Sequence, residues 1–70
     1  MKSDVVLGII ALESRDTGFA NLQTVEWRYG RRCSDLLTEL NRRGLLAWGR
    51  PPGTVGLSDL GSARAAELAV

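Results

Sequence analysis

The chain has 70 residues. That is one domain, spanning 1–70, and a chain this short buries only about 60% of the surface it exposes when unfolded. With 44% hydrophobic and 24% charged residues, one cysteine, no histidine and a net charge of +1, the composition excludes a disordered chain, an internal disulfide and a histidine-based metal or catalytic constellation.

No run of about 18 apolar residues and no signal-peptide pattern occurs, so a soluble, cytoplasmic protein that does not enter a membrane is expected. No carboxylates come as a spaced pair in an apolar setting. Neither enzymatic activity nor a cofactor or metal is therefore expected.

Ser3 is placed to cap a first helix, with Asp4 in the opening turn, where the helix dipole favours negative charge. From Val5 to Leu12 every residue except Gly8 and Ala11 is large and apolar, whereas a surface helix shows only a stripe. This helix either passes through the middle of the domain or shares a face with another chain. In the second case Val5, Ile9 and Leu12, or else the C-terminal helix, form a homodimer contact. Residues 14–18, SRDTG, end the helix in a turn. In residues 19–30, FANLQTVEWRYG, Leu22, Val25 and Tyr29 fall at i, i+3 and i+7, Asn21 or Thr24 can cap a short helix, and Gly30 closes it.

A third helix is predicted over about 31–44. Cys33, Leu36, Leu37 and Leu40 share its apolar face, which makes Cys33 a packing thiol. Arg31, Asp35, Thr38 and Arg42 fall on the opposite side, flanked by Ser34 and Glu39, and Gly44 stops the helix. The period then changes to 2: Leu46, Trp48 and Arg50 point one way, Leu45, Ala47 and Gly49 the other. Pro52 and Gly53 suit the centre of a type II turn, so Thr54 to Leu57 return as an antiparallel strand with Arg50 near the hairpin tip. Trp48 is expected to pin this hairpin to the core. Ser58 caps a last helix that Leu60, Ala63 or Arg64, Ala66 or Glu67, and Leu68 carry onward.

Charge is uneven along the chain. Between Arg28 and Arg50 six arginines face two carboxylates, a local +4, while the remainder carries −3. One side of the molecule is thereby suited to a polyanion.

The order helix, helix, helix, hairpin, helix resembles the winged helix-turn-helix superfamily, in particular small transcriptional regulators of the MarR and PadR kind. The resemblance rests on LLTELNRRGLL (36–46) and VGLSDLGSARA (55–65) and covers about residues 20–65. It implies a mainly α fold with a small β-hairpin: three helices, a β wing at 45–58 and a C-terminal helix. It also implies sequence-specific binding of double-stranded DNA, the 31–44 helix lying in the major groove and the wing on the backbone. Arg31 and Arg32 would meet phosphate or guanine, Ser34 and Thr38 base edges or thymine methyls, and Arg28, Arg42, Arg43 and Arg50 the backbone. The size suits a phage or mobile-element transcription regulator. The competing expectation is a winged-helix protein-interaction module, an adaptor or virus-encoded inhibitor, that uses Trp27, the first helix and the basic face to bind a protein.

Overall fold

The computed structural model describes residues 2–30, 33–48 and 52–68. Four helices and three short strands follow one another as α1 (Lys2–Glu13), β1 (Ala20–Asn21), α2 (Leu22–Tyr29), α3 (Cys33–Arg42), β2 (Leu46–Trp48), β3 (Thr54–Leu57) and α4 (Asp59–Leu68). The protein is thus mainly helical with a small three-stranded antiparallel sheet in the order β1-β3-β2.

α1 carries two apolar stripes, of which the fold buries one. Ser3, Val6, Leu7 and Ile10 form one helical stripe that is buried against α2, α3, α4 and β3. Val5, Gly8 and Leu12 form a second stripe on the opposite side, and Val5 and Leu12 are each 54% exposed. Ile9 packs partly against the core, so it belongs to neither stripe fully. Ser3 is not the cap expected of it: α1 already runs through Lys2, and Ser3 lies inside the helix and is buried. The turn after α1 closes through a bond from the Gly18 N–H to the Ser14 carbonyl at 2.8 Å.

β1 is an element that the sequence pattern did not show. Two residues carry no readable period, and this strand exists because Ala20 and Asn21 pair with Val55 and Thr54 of β3. The Leu22 N–H then donates to the Gly53 carbonyl at 2.8 Å, which seats the start of α2 beside the hairpin turn. Asn21 is the cap of α2, accepting the Gln23 N–H on its Oδ1 at 2.9 Å.

The hairpin itself is as expected, with Leu46, Ala47 and Trp48 opposite Leu57, Gly56 and Val55. Residues 49–51, Arg50 among them, lie outside the described residues. Gly53 has φ +86°, as the third position of a type II turn requires.

α3 stops through paired bonds in which the Leu45 N–H reaches the Leu40 carbonyl and the Gly44 N–H the Asn41 carbonyl. That is a Schellman arrangement, and both Leu40 and Leu45 are buried, which supplies the hydrophobic contact that accompanies it. Gly44 takes the left-handed conformation, φ +75°, that the arrangement needs.

α4 begins on the loop just described. Ser58 Oγ accepts the Gly61 N–H at 3.0 Å and donates to the Gly44 carbonyl at 2.7 Å, joining the N-terminus of α4 to the C-terminus of α3. Gly61 is buried against the backbone of Leu45, while Leu60 is 61% exposed.

Candidate nucleic-acid interface

The surface in question is built on α3. Its inner face is fixed by Cys33, Leu37 and Leu40, all buried, and by Leu36, which packs partly against the core. Helical spacing then carries Ser34, Asp35, Thr38, Glu39, Arg42 and Arg43 to the outside, and all six are exposed. Thr38 Oγ1 donates to the Ser34 carbonyl at 3.0 Å. That bond uses the one hydroxyl proton and leaves the oxygen lone pair and the methyl for an outside group.

Ser34, Thr38 and Asn41 line a groove of about 430 Å³ whose other walls come from Leu22 and Glu26 of α2 and Trp48 of β2. Trp48 does not enter the core. It is 52% exposed, and its indole Nε1 donates to Asn41 Oδ1 at 2.9 Å. The hairpin is therefore tied to the side of α3, and helix and strand present one continuous surface. Asn41 is the residue that the sequence reading passed over. Its position seven residues after Ser34, on the same helical line, was the available signal.

Charge on this surface differs from the simple sum along the chain. Arg42 and Arg43 are exposed at the end of α3, but Asp35 and Glu39 share the outer face and Glu26 lies across the groove. Glu39 and Arg43, spaced i, i+4, form no ion pair among the described residues. Arg31, Arg32 and Arg50 lie outside the described residues. Arg28 does not join the face: its Nε is 2.6 Å from Glu13 Oε1, so it links α2 to the end of α1. On α2 the core-facing line of buried Val25 and partly buried Leu22 and Tyr29 separates the two, with Glu26 on the groove side and Arg28 on the α1 side.

Cys33 is a packing thiol. Burial pushes it above its ordinary range, and the Glu26 carboxylate adds to the shift, so the nucleophilic thiolate is suppressed. Among the described residues no group of three His, Cys, Asp or Glu side chains is placed to hold a metal ion. No helix among them is long and apolar enough to cross a membrane. Trp27 stands apart from the groove on the outer side of α2, 84% exposed.

Comparison with family models, with curated proteins and with solved structures finds no match for this chain.

Proposed function

We propose that the protein is a winged helix-turn-helix regulator that binds double-stranded DNA from the cytoplasm, with α3 in the major groove and the β2–β3 hairpin on the backbone beside it. The observation that carries this reading is the fixed register between helix and hairpin made by the Trp48–Asn41 hydrogen bond, with Ser34 and Thr38 exposed alongside. A polar helix face about three turns long, braced by a strand pair, fits the width of a major groove. In this reading Arg31 and Arg32, next before α3 in the sequence, would meet phosphate or guanine, and Arg42, Arg43 and Arg50 would meet the DNA backbone. A module of this size contacts few base pairs, so two copies on two half-sites supply the remaining affinity.

Titration against random-sequence duplex at two salt concentrations tests the reading. Binding at about 50 mM salt that weakens steeply as salt rises is the expected result. Absence of binding at that salt, or binding indifferent to Arg31→Ala and Arg32→Ala together, removes it.

A second reading, a protein-binding winged domain, is favoured by one observation. Trp27 is 84% exposed, and tryptophan is enriched among the few residues that carry most of the energy of a protein interface.

A further inference from the structure

We propose that Asn41 is the guanine-selecting residue of the α3 surface and that Trp48 makes it so, by holding the amide oxygen and leaving the amide N–H groups as the outward contact. The inference rests on the DNA reading and deepens it from binding of a duplex to choice of a base.

The first observation is the direction of one hydrogen bond. An indole N–H can only donate, so of the two branches of the Asn41 amide only the carbonyl can face it. Trp48 Nε1 reaches Asn41 Oδ1 at 2.9 Å, which sets the amide with its oxygen on the hairpin side and its nitrogen turned away from the indole. Both residues are exposed and line the groove between α2, α3 and β2, and the amide nitrogen forms no hydrogen bond among the described residues. Asn41 therefore offers two N–H donors to a group arriving from outside.

The second observation is that the polarity reverses one turn earlier on α3. Thr38 Oγ1 donates its proton to the Ser34 carbonyl at 3.0 Å, so towards an outside group it can only accept or offer its methyl. Three residues separate Thr38 from Asn41, a rise of about 4.5 Å, close to the ~3.4 Å between neighbouring bases of a strand. A donor and an acceptor thus stand at successive steps, each set by a bond within the protein.

Base chemistry turns that order into a choice. In the major groove guanine shows two acceptors side by side, N7 and O6, whereas adenine shows one acceptor and one donor, thymine one acceptor, and cytosine a donor alone. The common pairing of an amide with adenine needs its oxygen and nitrogen together. Here the oxygen is engaged. Turning the amide over to serve adenine would leave the indole N–H without its acceptor just as the duplex shuts out water, where an unpaired donor costs most. Two N–H groups against the two acceptors of guanine is the pairing that keeps every bond. Thr38, unable to donate, does not compete for guanine and suits an adenine amine or a thymine methyl at the neighbouring step.

Selection by the full chain from a random-sequence duplex library at about 50 mM salt reads the preference position by position. The position that Asn41 addresses is the one whose preference Asn41→Ala removes, which separates it from guanines met by arginine. Wild type should favour guanine there over adenine at least about fivefold. Hypoxanthine in place of that guanine should bind as tightly, because N7 and O6 remain, and 7-deazaguanine should bind more weakly, because N7 is gone. Asn41→Asp keeps an acceptor for the indole but loses the donors, so its preference should pass to cytosine. Trp48→Phe frees the amide, so the guanine-to-adenine ratio should fall, while Thr38→Val leaves that ratio unchanged. A purely structural role for Trp48 would instead lower affinity for every sequence alike. The inference is overturned if Asn41→Ala alters no position, if the altered position prefers a base other than guanine, if 7-deazaguanine binds as tightly as guanine, or if Trp48→Phe leaves the ratio as it was. Duplex binding that weakens with salt but shows no altered position removes this inference and keeps the DNA reading. No duplex binding at about 50 mM salt removes both.

Discussion

Gly61 shows how a single residue can be legible in sequence for one reason and required in structure for another. In VGLSDLGSARA it reads as part of a wing-to-helix pattern, but the physical cause is proximity: a Cβ there would fall 1.9 Å from the Leu45 carbonyl oxygen. Since that atom is backbone, it cannot turn aside. Gly61→Ala is expected to destabilise the fold by about 1–3 kcal/mol through overpacking, measured by urea unfolding, despite alanine's better helix propensity. Ser58 serves the same junction from the other side, and Ser58→Ala removes the helix cap and the donor to Gly44 together, at a cost of about 1–2 kcal/mol. Cys33 gives a pH dependence. Its folded-state pKa is raised by burial, so below the ordinary thiol range, about 8.5, the folded and unfolded chains carry the same proton. Above that range the unfolded thiol ionises first, and stability falls as pH rises. Cys33→Ser should flatten that alkaline slope in a series of melts from neutral to alkaline pH.

At the scale of elements, legibility followed periodicity. α3 has apolar residues at Cys33, Leu36, Leu37 and Leu40, a polar outer face and a glycine stop, so three independent signals agreed on it. The hairpin was readable because Pro52–Gly53 divides two alternating runs. α1 was readable as a helix but not as to orientation, because its two apolar stripes lie opposite one another, and only packing decided that Val6, Leu7 and Ile10 go inward. β1 is two residues whose conformation is set by β3, a non-local cause that no window of sequence contains. Trp48 is expected in the core from its alternation with Leu46, yet β2 is an edge strand of the sheet and the indole finds Asn41. Removal of that acceptor by Asn41→Ala should cost only about 0.5–1 kcal/mol of stability, since the bond is exposed. It should also raise amide exchange in β2, which nuclear magnetic resonance can follow residue by residue.

For the molecule as a whole, the issue is where positive charge converges. Linear sequence counts six arginines from Arg28 to Arg50, but folding turns Arg28 to Glu13 and sets Asp35 and Glu39 beside Arg42 and Arg43 on the outer side of α3. Charge balance along a chain is not charge balance on a face, since a helix distributes neighbours in sequence around its circumference. This gives a comparison between two arginines of equal formal charge. Each phosphate neutralised contributes about −0.9 to the slope of log affinity against log salt. On the DNA reading, Arg42→Ala should therefore make that slope shallower by nearly one unit, and Arg28→Ala should leave it unchanged. Asp35→Asn with Glu39→Gln should strengthen binding to random duplex, because two repulsive carboxylates leave the face while the arginines stay. If Arg28→Ala flattens the slope as much as Arg42→Ala does, the contact surface extends around α2 towards α1, and α3 is not the centre of the interface. If neither changes it, phosphates do not meet this side of the protein, and the exposed Trp27 becomes the starting point for finding what does.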